Sequence, residues 1–296
     1  MEALLSLSFD NLSSYDASKI RKGLRQVEGL LAQICLSNSS KSNAEKRRPA
    51  IEAGKESPPL PPRKALDELP DDAAFREFFR LQEGFEWNVA MRLVTCLDRL
   101  MGKSNDGQND LLIIQTLELI QGVLLLHPPS RSLFSRELYM NHLLDLLEPV
   151  NCPAIQSATL LTLVCSLIDT PKNTRTFETL DGLLTITSIF KSRETSRDVK
   201  LKLVEFLYFY LMPETPSIPS STSSSSLELL SRSPSKASGA MNGREEVGGR
   251  RRAQSESEHT KSLAEKQELL GRYLHNVDDL VADLQESHPF GGSIGN

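Results

Sequence analysis

A thiolate that attacks a phosphate ester needs a cysteine with an arginine six positions downstream, where the guanidinium can cradle the phosphate oxygens. The four cysteines, Cys35, Cys96, Cys152 and Cys165, are followed at that spacing by Lys41, Gly102, Ala158 and Pro171. Cysteine-phosphatase chemistry is therefore excluded. A metal centre needs several ligands at short, regular spacing, but His127, His142, His259, His275 and His288 are scattered, and none has a second His or Cys at such a distance. Glycine-rich phosphate loops and dinucleotide fingerprints are missing as well. The adjacent acids Asp278 and Asp279 read as solvated charge on the polar side of a helix. No catalytic residue, metal or cofactor is expected.

The short signals that remain are of the binding kind. In "SPPLPPRK", Pro58, Pro61 and Arg63 form a Pro-x-x-Pro-x-Arg run, a polyproline II ligand of the sort that SH3 domains take. In "SPSK", Ser233 has a proline after it and a lysine three positions on, the preference of cyclin-dependent kinases. In "RRRAQS", Arg252 lies three before Ser255, suiting a basophilic kinase. A phosphate at either serine would add roughly −1.5 to −2 charges.

These signals sit on an uneven chain. Residues 37–66 are polar and Pro-rich, and residues 214–260 are Ser-rich. Neither stretch carries enough apolar surface to offset the entropy of ordering, and both are expected to be disordered linkers. They divide the 296 residues into an N-terminal helical segment (1–36), a helical body (67–213) and a C-terminal amphipathic helix (261–290). The unpaired cysteines suggest reduced thiols and an intracellular protein. "MEALLSLSF" is too short and too acidic to open a signal peptide, and no run approaches the ~18 apolar residues of a membrane span. A net charge of −5 creates no basic field for nucleic acid. The expectation is a soluble cytoplasmic protein.

Periodicity makes the body all-α. "DLLIIQTLELIQGVLLLH" is too long for a strand and is stopped by the two prolines after it. "RELYMNHLLDLLEP", "PAIQSATLLTLVCSLID", "NTRTFETLDGLLTITSIFKS" and "SRDVKLKLVEFLYFYLMP" read as four further helices. Sliding the chain by 43 residues puts Leu112 on Ile155, Pro128 on Pro171, Phe134 on Phe177 and Leu143 on Ile186; a step of about 44 carries Ile155 to Val199. That period predicts an armadillo- or HEAT-like helical-repeat solenoid, in which no helix pair buries both of its faces alone.

The last body helix then poses the main question of interaction. Phe206, Tyr208, Phe209 and Tyr210 crowd into five residues of a chain that is 6% aromatic. Val199, Leu203, Phe206 and Tyr210 share one face, and Leu201, Val204, Tyr208 and Leu211 form a second stripe. One stripe meets the preceding repeat; the other needs the C-terminal helix or a partner. The four aromatics are thus the candidate partner interface. Positions 263, 267, 270, 274, 277, 281 and 284 follow a 4,3 spacing, apolar except for Gln267, and suit docking on the body or pairing with another chain. Near the N-terminus, Ile20, Leu24, Val27, Leu31 and Ile34 repeat the pattern behind Asp16 or Ser18 as a cap.

Three blocks carry a family resemblance: "FREFFRLQEGFEWNVAMRLVTCLDRL" (75–100), "TFETLDGLLTITSIFKSRETSRDVKLKLVEFLYFYLMPE" (176–214) and "KQELLGRYLHNVDDLVADLQESHPFG" (266–291). With them the chain resembles the fungal cell division control protein 14 family of the septation initiation network, distinct from the phosphatase of the same name. The resemblance implies a non-catalytic subunit that binds a germinal-centre-class, sterile-twenty-like protein kinase and acts with it at the spindle pole body in cytokinesis and septum formation. It assigns no contact residues. The competing expectation is a general scaffold that recruits SH3-domain proteins to the division site.

Overall fold

The computed structural model describes residues 1–36, 64–65, 68–102, 107–214, 260–279 and 282. Pro58, Pro61, Arg63, Ser233 and Ser255 lie outside the described residues, as do the two linkers apart from their ends. The described chain is an all-α helical-repeat solenoid with no β-strand among the described residues.

Four long helices form one layer: α2 (Ala17–Cys35), α5 (Asp110–Leu126), α7 (Pro153–Leu167) and α10 (Arg197–Leu211), each packed on the next. They run in the same direction. Arg131 shows this for α5 and α7, donating from Nε to the Leu124 carbonyl and from Nη1 to the Ile168 carbonyl, so that the two C-terminal ends meet. Upstream, the Gln121 amide bridges to the Ala158 carbonyl and the Thr162 hydroxyl. The second layer is built of α1 (Glu2–Leu12), α3 (Ala73–Glu83), α4 (Val89–Met101), a 3-10 segment (Pro128–Ser135), α6 (Glu137–Asp145), α8 (Pro171–Thr179) and α9 (Gly182–Lys191).

The repeat read from the sequence is the spacing of this ladder: α5, α7 and α10 begin at residues 110, 153 and 197. The equivalent side chains do equivalent work. Leu112, Ile155 and Val199 are all buried, as are Phe134 with Phe177 and Leu143 with Ile186. Pro128 and Pro171 each open the segment that crosses to the second layer. Proline serves there because a first-turn residue has no intrahelical partner for its missing N–H.

Local chemistry sets the helix starts. Of the two caps open for α2, Asp16 is the one used, accepting from the Ser18 N–H at 2.8 Å. All five apolar residues of its 4,3 pattern are buried. Asp72, Asn88 and Ser196 cap α3, α4 and α10 in the same way. Each such cap is worth ~1 kcal/mol.

Two expectations need correction. The stretch "NTRTFETLDGLLTITSIFKS" is not one helix but the end of α8 followed by α9, separated at Asp181, whose φ of 57° is left-handed. Gly182 explains the break: a Cβ there would stand 2.3 Å from the Phe177 ring and 2.6 Å from its carbonyl oxygen. Gly182→Ala should therefore cost about 1–3 kcal/mol through overpacking, measured by chemical denaturation. A neutral result would mean that α9 does not approach Phe177 this closely.

The second correction concerns the C-terminal helix expected over 261–290. Helix α11 (Leu263–Gly271) stops at its glycine, and helical geometry resumes only at residues 277–279. Gly is a poor helix former, and the Tyr273 carbonyl leaves the helical ladder to accept from Lys191 Nζ of α9 at 2.6 Å. The seam nevertheless buries Leu270, Leu274 and Val277 as its spacing predicts.

Candidate partner interface

The four aromatics of α10 do not share one surface. Phe206 is 1% exposed and meets Phe177 edge-on at 5.6 Å between ring centroids; Tyr210 is 2% exposed. Both belong to the core, a correction to the four-residue interface that has a simple cause: at offsets of 7 and 11 from Val199 they continue its buried stripe. Tyr208 and Phe209 are half-buried. The second stripe is mixed in the same way, with Leu201 exposed, Val204 half-buried and Leu211 buried. Beside it Lys202 and Glu205 pair at 2.7 Å on the solvent side.

Phe209 borders a cleft of about 480 Å³ where the C-terminal ends of α7 and α10 meet the first turn of α8. Val164, Leu167, Ile168, Pro171 and Met212 supply its apolar lining, and Asp169, Glu214 and Lys266 its charges. Exposed Leu161, one turn before Val164, extends the apolar surface along α7. A cleft of this size, mostly apolar with a few placed polar groups, has the makeup of a binding site.

Its fourth wall is the C-terminal segment, which docks on the same chain through a buried charge network. Glu214, just after α10, accepts from Arg175 Nη2 at 2.6 Å and from the Lys261 backbone N–H at 2.9 Å, and pairs with Lys266 Nζ at 3.0 Å. Glu178 of α8 pairs with Arg175 at 3.0 Å and Lys261 at 2.6 Å, and accepts from the Tyr210 hydroxyl at 2.8 Å. Lys266 also donates to the Tyr210 and Met212 carbonyls, both at 2.9 Å, capping the free end of α10, and lies 5.2 Å from the Tyr210 ring centroid. Burial pulls the Lys266 ammonium pKa down against the opposing pull of Glu214, and burial with the Glu178 charge pushes the Tyr210 phenol up. Ser262 and Glu265 start α11 with a reciprocal capping box.

The sequence pattern pointed to the docked seam but not to Arg175, Glu178, Glu214 or Lys266. Their pairing bridges 39 to 83 positions, except for Arg175 with Glu178, and no periodicity encodes such matches. Elsewhere among the described residues, several reactive types have surroundings that suit packing rather than chemistry. Burial pushes the thiols of Cys35 and Cys165 up, the wrong direction for a nucleophile. His127 is buried, with Nδ1 2.8 Å from the Ser130 hydroxyl, and desolvation lowers its pKa to about 4. His142 lies 3.3 Å from Asp98. Among the described residues no group of three or more His, Cys, Asp or Glu is placed to hold a metal, and no helix is long and apolar enough to cross a membrane.

Residues 1–290 match the family model described as cell division control protein 14, SIN component. The chain is also 27% identical over 299 residues to the cell division control protein 14 of Schizosaccharomyces pombe, an alignment covering 98% of this chain and 97% of that relative. No solved structure matches it. The match covers nearly the whole length and takes in every helix described above: the chain belongs to the cell division control protein 14 family of SIN components.

Proposed function

We propose that this SIN component is a non-catalytic regulatory subunit that binds a germinal-centre-class, sterile-twenty-like protein kinase of the septation initiation network and supports it in cytokinesis and septum formation. In this reading the protein is cytoplasmic and gathers at the spindle pole body during division. The observation that carries it is the apolar cleft at the end of the ladder, bordered by Phe209 and walled by the docked C-terminal segment. An open apolar recess with no reactive pair beside it among the described residues suits holding a partner rather than turning over a substrate. Tethering the kinase raises its local concentration, and preferential binding to one of its conformations would shift its population toward that state.

The test compares two pairs of substitutions by kinase recovery from dividing cells. Tyr208→Ala with Phe209→Ala should lower recovery about tenfold or more, the scale of a hot-spot loss, without shifting the thermal midpoint by more than a few degrees. Pro61→Ala with Arg63→Ala should leave recovery unchanged. The opposite pattern would favour the SH3-recruiting scaffold.

A further inference from the structure

The charge and backbone at the mouth of the cleft narrow the chemistry of what it takes. Asp169 follows the end of α7 with φ at 51°, a left-handed conformation that a non-glycine residue adopts at a steric cost. The conformation sets Asp169 at the mouth, with its side chain 69% exposed. Its one ion-pair partner among the described residues, Arg131, stands 3.8 Å away and also donates its guanidinium to the Leu124 and Ile168 carbonyls. The Asp169 carboxylate accepts no hydrogen bond among the described residues and so faces solvent with its acceptor capacity open. The other charges of the cleft are matched internally, Glu214 by Arg175 and Lys266.

We propose that the cleft is a docking site for a short segment of a partner protein that inserts one apolar side chain between Ile168, Phe209 and Met212 and sets a lysine or arginine, adjacent in its sequence, against Asp169. The apolar lining accounts for the anchor and the outward carboxylate for the basic neighbour. The exposed Leu161 beside half-buried Val164 gives the rest of the segment an apolar track along α7. The inference rests on the adaptor reading only in taking the occupant to be a protein.

The test is selection of a random octapeptide display library on the purified full chain, with no kinase present. Peptides with a large apolar residue next to Lys or Arg should be enriched. Their binding should fall about tenfold or more with Met212→Trp, which fills the cleft. Asp169→Asn keeps a residue type that tolerates the left-handed backbone, and should erase the preference for the basic residue while retaining the apolar one. Thermal unfolding of each variant checks that the fold survives, and Ile168→Trp fills the cleft from its other wall should Met212→Trp fail to fold. Enrichment of no peptide, binding indifferent to the filled cleft, or a basic preference that survives Asp169→Asn would each overturn the proposal. Peptide binding without kinase recovery from cells would instead overturn the choice of kinase and leave the cleft standing.

Discussion

Phe206→Ala should destabilise the fold by about 3–5 kcal/mol, while Phe209→Ala, three residues along the same helix, should cost under about 1.5 kcal/mol. Phe206 is sealed between Phe177 and the interior of the last repeat, so truncation leaves a cavity that the packed ring of Phe177 cannot close. Phe209 is half-buried at the edge of an existing cleft, and its removal enlarges a space already open to water. Urea or guanidinium unfolding of the two variants measures the difference directly. Equal losses would mean that Phe209 is core and that α10 presents no partner-facing aromatic at its end.

The second large effect falls on the C-terminal segment. Glu214→Ala removes a carboxylate that serves Arg175, Lys261 and Lys266 at once. Lys266, with its side chain 4% exposed, would keep only carbonyl partners, and Arg175 would retain only Glu178 although its Nε and Nη1 already lack partners among the described residues. Breaking a buried ion pair from one side costs about 3–5 kcal/mol, because a desolvated charge is left behind. That loss should appear as undocking of residues 260–279 before the ladder unfolds, read by amide hydrogen exchange as lost protection in α11 with α5 and α7 unchanged. Lys266→Met should do less harm, since it removes the buried charge itself and keeps most of the aliphatic stem. If α11 stays protected in Glu214→Ala, its docking rests on Leu270, Leu274 and Val277 and on the hydrogen bonds and ion pair that do not involve Glu214.

These two effects mark how far the sequence was legible. The ladder could be read because its signal is periodic: Leu112, Ile155 and Val199 recur at steps of 43 and 44 residues and are buried alike in successive helices of the first layer. The cap of α2, narrowed to Asp16 or Ser18, and the proline that opens α7 follow local rules, equally visible. The division between α8 and α9 was missed because a single glycine in an apolar run is weak evidence; its meaning comes from the Phe177 ring pressed against it. The continuous C-terminal helix failed for a related reason, since the 4,3 spacing records which residues face the body and not whether the backbone between them stays helical. Of the four aromatics, the spacing from Val199 was enough to assign Phe206 and Tyr210 inward. For the other two the neighbours had to be known.

The charge network is a different kind of omission. Glu178, Glu214, Lys261 and Lys266 look like ordinary surface charges in a chain that is 25% charged. They meet because the chain returns after residue 259 to the place it left at Glu214, where the Lys261 N–H meets the Glu214 carboxylate, and the Glu178, Glu214 and Lys266 side chains are left under 10% exposed while that of Lys261 stays partly exposed. Any interface built at this end of the molecule depends on that return, and the cleft, the C-terminal segment and the end of α10 form one structural unit.

The adaptor account is tested most directly by affinity purification of the intact protein from dividing cells, with quantitative mass spectrometry of everything that co-elutes. One germinal-centre-class protein kinase should co-elute in an amount comparable to the protein itself, and should be lost when Met212→Trp fills the cleft. Recovery of no kinase, or of SH3-domain proteins in its place, would contradict the adaptor account.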